Sequence, residues 1–199
     1  MLTLMLTLRW ITIIVWLVWL VGFWNGGWGS MIRTEKLKAR PEPLRGTLTS
    51  VTISLLTLLI IATGLLVTSG VSEGVIGYLG MAGIFTGLTL TLIGMGGTLY
   101  ARKILDRFWT KERSRTPGQG EIDRGPYGLV RHPIYLATII YYTGTLLVFP
   151  TWWNIIATLL VVLVFIYKTR EEELFLAENL TGFRDYQKRI PYRLIPGVW

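Results

Sequence analysis

Uncharged apolar runs set the organisation of this chain. Residues 10–29, 46–72, 74–101 and 133–167 contain no Asp, Glu, Lys or Arg. A hydrocarbon layer of about 30 Å needs about 20 residues of helix at about 1.5 Å each. Each of the first three runs therefore predicts one membrane-crossing helix. The fourth has 35 residues, too many for one crossing, and Pro150 lies near its middle. Read as a helical hairpin, it supplies two short arms of roughly 25 Å each. The pattern predicts an all-α polytopic membrane protein with five transmembrane helices, the last two paired as a hairpin; four helices, the last one bent, are the alternative. It is read as a single domain: residues 1–101 carry three spans, and 102–199 carry the hairpin and a C-terminal segment with a short helix.

Composition agrees. Only 16% of residues are charged, against about 25% in an ordinary soluble domain. The 20 Lys and Arg are unevenly placed: five lie in 33–45, eight in 102–131, six in 168–193, and Arg9 stands apart. The connections at 68–74 and 149–154 carry none. Basic residues concentrate in cytoplasmic loops. Five crossings put all three basic segments in the cytoplasm and the N-terminus outside. The net charge of +8 is then a consequence of topology. It argues against nucleic-acid binding, which would need a basic face on a folded surface. The first residues, MLTLMLTL, lack a basic region and a small-residue cleavage site, so no cleaved signal is expected. There is no cysteine, which removes disulfides, thiolate metal sites and a thiol nucleophile.

Several features read as architecture. Gly77, Gly80, Gly83, Gly87 and Gly94 recur at helical spacing, and small residues on one face let helices approach closely in lipid. Gly94-Met95-Gly96-Gly97 lacks the strand–loop–helix setting of a phosphate cradle. Trp24, Trp28, Trp152 and Trp153 fall near span ends, as interfacial aromatics do. The 33–45 connection reads as headgroup-facing, and 110–120 as the most loop-like stretch.

Chemistry concentrates in two clusters that flank the fourth run. The first is GPYGLVRHPIY, residues 125–135, which holds the chain's single histidine, His132. Pro133 suits the first turn of a helix, which places Arg131 and His132 just before a helix start. Free N–H groups and cationic side chains there suit a carboxylate or phosphate. Snorkelling of Arg131 and capping by His132 would explain the same pair without a ligand. The second cluster is Lys168 to Glu173, where the run ends. Glu171, Glu172 and Glu173 gain nothing from anionic headgroups, so they answer either to a bound cation or to a salt bridge with Arg131 or Lys168. Acids opposite bases at the open end of a hairpin suit a zwitterion such as an amino-acid moiety. S-adenosylmethionine carries one beside its sulfonium, but the residues alone leave the ligand open.

The Gly-Pro-Tyr, Arg-His-Pro-x-Tyr and Glu-Glu-x-x-Leu elements, in that order and followed by RIPYRLIPGVW, resemble the isoprenylcysteine carboxyl methyltransferase family and its phospholipid methyltransferase relatives. The likeness covers residues 122–199. It implies an integral membrane enzyme that methylates a lipophilic acceptor with S-adenosylmethionine, from a cytoplasmic pocket built around the hairpin and the C-terminal segment. Carried onto this chain, it points to Gly125, Tyr127, Arg131, His132, Tyr135 and Glu172 as cofactor-binding, with the backbone at Ile122 near the adenine. Arg131 and His132 would hold the cofactor carboxylate and Glu172 its ammonium. Lys168, Arg170 and Glu173 would face the acceptor, with His132 or Glu173 as base where the acceptor needs one. Lys168 stands where relatives commonly have arginine, and lysine lacks the bidentate fork.

The implied acceptor is a prenylated or other lipid-soluble molecule, foremost an isoprenylcysteine-like carboxylate; membrane lipids are the implied surroundings. Two other classes share features with the chain. Sterol-reductase-like NADPH enzymes resemble it in Arg-His-Pro-x-Tyr and in the terminal PYRLIP. A non-catalytic membrane assembly protein would use the charged rim as an anchor only.

Overall fold

The computed structural model describes residues 2–22, 43–70, 80–112, 123–179 and 182–199, with backbone alone at 43–50, 106–112 and 179. The regular structure of the described residues is all helical, with no strand among them. The helices are α1 (Leu2–Gly22), α2 (Pro43–Thr68), α3 (Gly80–Glu112), α4 (Pro133–Val148), α5 (Trp152–Asn179) and α6 (Phe183–Arg189), with a 3-10 turn at Gly125–Gly128. Four of them, α1, α2, α3 and α5, are long and apolar enough to cross a membrane. The expected fifth, α4, begins at Pro133 as anticipated but has only 16 residues, roughly 24 Å. Its partner α5 has 28 residues, roughly 42 Å. The two arms are unequal because α5 continues unbroken through the charged cluster that was expected to follow its apolar part.

The chain forms two compact units, Met1–Leu88 with Gly144–Val161, and Thr89–Thr143 with Val162–Trp199. In the first, α1 packs on α2, and Met5, Leu8, Ile13, Val67, Ile84, Val148 and Phe149 form a buried cluster. Several polar groups inside it are paired, as lipid surroundings favour. Trp16 Nε1 donates to Thr145 Oγ1 at 2.9 Å. The hydroxyls of Thr12, Thr57 and Thr68 donate to carbonyls one turn back.

The hairpin turn is Phe149-Pro150-Thr151. Thr151 caps α5, its Oγ1 accepting from the Asn154 N–H at 3.2 Å. The fully buried Asn154 donates through Nδ2 to the Phe149 carbonyl at 2.8 Å and accepts from Thr63 Oγ1 at 2.8 Å. Trp152 and Trp153 beside it are exposed, in keeping with an interfacial position.

Two members of the glycine series bring α3 against the backbone of α4. A Cβ on Gly87 would lie 2.5 Å from the Gly144 carbonyl oxygen, within the first unit. A Cβ on Gly94 would lie 2.6 Å from both the Ala137 oxygen and the Tyr141 nitrogen, within the second. Gly94 to Gly97 lie inside continuous helix, which a phosphate-binding loop would not. Gly80 starts α3 with φ of +63° and has nothing within 4 Å. Gly77, Trp24, Trp28 and the parts of the two expected loops at 33–42 and 113–120 lie outside the described residues.

Candidate functional site

The site is assembled in the second unit, at the open end of the α4–α5 hairpin. The approach to α4 is stiffened first. Gly125 takes φ of +60°, a conformation that disfavours any side chain, and a Cβ there would also lie 2.7 Å from Ile104 Cδ1. A Cβ on Gly128 would lie 2.8 Å from the Asp123 oxygen. Between them Tyr127 is buried, and its carbonyl accepts from the Tyr186 hydroxyl at 2.9 Å. Burial pushes the Tyr186 phenol well above its ordinary range.

The C-terminal segment then fills the place where a helix start would offer free donors. The Arg131 N–H donates to the Tyr192 carbonyl at 2.9 Å and the His132 N–H to the Arg193 carbonyl at 3.0 Å. The segment is closed on itself: the Trp199 oxygen accepts from the N–H groups of Arg193, Leu194 and Ile195 at 3.0 Å each.

Glu173 is the hub. Its side chain is 4% exposed. Oε1 accepts from Arg131 Nε at 2.6 Å, and Oε2 accepts from Arg193 Nε at 2.7 Å. Gln187 Nε2 of α6 is 3.5 Å from Oε2. Arg131 also donates through Nη1 to the Ile190 carbonyl at 2.5 Å. One carboxylate thus joins the start of α4, the charged end of α5, α6 and the C-terminal segment. His132 Nε2 lies 3.3 Å from Glu173 Oε1, but it is buried without the alignment of a hydrogen bond.

Glu172 stands differently. Its side chain is 30% exposed. The Tyr135 hydroxyl donates to its Oε2 at 2.6 Å, and His132 Nδ1 is 3.9 Å from the same oxygen. Three rings line this wall: His132 stacks on Tyr135 at 5.4 Å and 6°, and Tyr135 stacks on the buried Phe165 at 4.7 Å. The Lys168 ammonium sits 5.6 Å from the Tyr135 ring centroid. Two residues on, Arg170 turns instead to Trp199, at 5.8 Å from its ring. That divergence follows from the rotation of about 100° per residue along a helix.

The structure therefore brings Arg131, His132, Tyr135, Lys168, Glu172 and Glu173 into one neighbourhood. Arg170 joins through Trp199. Gly125 and Tyr127 shape the approach to α4. Ile122 lies outside the described residues. Sequence reasoning did not single out Arg193, Trp199, Tyr186 or Gln187. The signal available was the basic, proline-flanked RIPYR segment, but nothing local shows that its arginine pairs with a glutamate 20 residues earlier. Among the described residues no cluster of His, Asp and Glu is arranged to hold a metal ion.

A family described as phospholipid methyltransferase matches residues 74–181 of the chain. No curated protein and no solved structure matches it significantly.

Proposed function

The chain belongs to the phospholipid methyltransferase family, and from that premise we propose that it transfers the methyl group of S-adenosylmethionine to a lipophilic, membrane-borne acceptor. The observation that carries the reading is the convergence of His132, Tyr135 and the part-exposed Glu172 at the open end of the hairpin. The donor set suits a zwitterion. Glu172, oriented by the Tyr135 hydroxyl, would hold the ammonium. His132 would meet the carboxylate, and Arg131, engaged by Glu173 and Ile190, would hold His132 in place. The aromatic wall would exclude water from the reacting centre.

When bound, the cofactor supplies a sulfonium-activated methyl carbon. The protein's part is to hold an acceptor in line with it, and orientation alone is worth several kcal/mol of barrier. Lys168 lies beside the Tyr135 ring and Arg170 beside the Trp199 ring, and their charges favour an acceptor that carries an anion near its nucleophile. An isoprenylcysteine-like carboxylate fits, and so does a phosphate-bearing headgroup. A carboxylate needs no general base. An amine or hydroxyl would need one, and His132 is the group within reach of the site.

The same reading takes α4 as a fifth, short crossing, which sets the three basic segments and the site on the cytoplasmic face. The family match favours methyl transfer over nicotinamide-dependent reduction or a purely structural role. Incubation of the purified protein with methyl-labelled S-adenosylmethionine and a total membrane lipid extract tests it. A labelled lipid product identifies the acceptor. No label transferred, with no binding of S-adenosylhomocysteine, refutes the reading.

A further inference from the structure

The C-terminal segment does more than border the site. Arg193 links it to the hub by both main chain and side chain: its carbonyl accepts from the His132 N–H, and its Nε donates to Glu173. Its side chain is 35% exposed, so packing alone does not fix its rotamer. Trp199 lies beside it. The Arg193 guanidinium lies 5.2 Å from the Trp199 ring centroid, within the range of cation–π attraction. The Arg170 guanidinium approaches the same ring at 5.8 Å. The Trp199 oxygen meanwhile gathers the N–H groups of residues 193–195, which ties the backbone of residue 199 to that of the arginine.

We propose that Trp199 is a positioning residue of the donor site: by its contact with Arg193 it keeps that guanidinium on Glu173, and so fixes Arg131 and, beside it, His132, the residue that meets the ligand. The proposal rests on the donor-site reading above. A guanidinium held near a ring and bonded to a carboxylate has little freedom left. Lysine at 193 would keep the charge but lose the fork and much of the stacking. Without the ring, Arg193 can swing to solvent, and Glu173 then holds Arg131 alone. His132, whose Nε2 lies 3.3 Å from Glu173 Oε1, would lose that contact with any shift of Glu173.

The test is calorimetric binding of S-adenosylhomocysteine to detergent-purified Trp199→Ala, Trp199→Phe, Arg193→Lys and the double variant Trp199→Ala/Arg193→Lys. Trp199→Ala should weaken binding about fivefold to tenfold, and Trp199→Phe should recover most of it. The double variant should be no weaker than the weaker single one, because both act through one contact. Glu172→Gln combined with Trp199→Ala should instead multiply, since Glu172 meets the ligand directly. Wild-type affinity in Trp199→Ala, or multiplying effects of Trp199→Ala and Arg193→Lys, overturns the proposal while Glu172→Gln still reports on the donor site. Should Trp199→Ala not fold, wild-type affinity in Arg193→Lys overturns it equally. Absence of binding by the wild type would sink the donor-site reading and this proposal with it.

Discussion

Neighbouring glutamates on α5 should respond oppositely to the same change. In Glu173→Gln the amide oxygen can still accept from one guanidinium, but its NH2 group must face the other. Arg131 is then left with a side chain 6% exposed and without its counter-charge. Breaking one partner out of a buried ion pair costs about 3–5 kcal/mol. Two features place this site at the low end: Arg131 keeps its bond to the Ile190 carbonyl, and Arg193, 35% exposed, can turn to water. A loss of about 3 kcal/mol corresponds, at about 2–4 °C per kcal/mol for a chain of this size, to a fall of about 6–12 °C in apparent melting temperature. Glu172→Gln loses only the charge that accepts from Tyr135 at a part-exposed position, and should shift melting by no more than about 2–4 °C. Its effect should fall on ligand binding. The assay is thermal unfolding in detergent at one scan rate, because the apparent midpoint of an irreversible transition depends on the rate. Equal melting of wild type and Glu173→Gln, or a larger loss in Glu172→Gln, would refute the hub.

Glu172→Gln should weaken S-adenosylhomocysteine binding at least tenfold by calorimetry, since a charge-assisted contact is replaced by a neutral one. Gly94→Ala drives a methyl group to 2.6 Å from two backbone atoms and should destabilise by about 1–3 kcal/mol. Gly96→Ala, with nothing within 4 Å, should be neutral or stabilising by up to about 1 kcal/mol; a reversed order in thermal melts would disprove the close α3–α4 approach. The buried Tyr186 phenol resists ionisation, whereas an unfolded tyrosine ionises near about pH 10. The folded value is the higher one, so this stabilising term is intact below about pH 10 and is lost as pH rises above it; Tyr186→Phe should flatten the alkaline fall in stability, measured by unfolding between about pH 8 and pH 11. With no native cysteine, single cysteines at Ser69 and Lys188 can map orientation in intact cells. An impermeant maleimide should label the first and spare the second, and the reverse pattern would invert the topology.

The uncharged runs by themselves determined the helical membrane class, because a bilayer demands unbroken apolar length and full backbone pairing whatever the packing. They also favoured the hairpin over one bent helix. Proline has no N–H to give at position 150, and 35 uncharged residues exceed one crossing. A hairpin must return its far ends to each other, and so the meeting of the 131–135 and 168–173 clusters was legible before any coordinate. What only the tertiary structure decided is which member of each cluster does what. Glu172 and Glu173 are adjacent and chemically alike, but a turn of about 100° separates them on α5. Packing of Phe165 on Tyr135 sets that rotation, burying Glu173 among guanidiniums and leaving Glu172 open. The partnership of Arg193 and Trp199 with that hub was likewise invisible, because hydrogen bonds between segments distant along the chain leave no local pattern. Its existence depends on the C-terminal segment meeting the start of α4, which is a property of the folded chain alone.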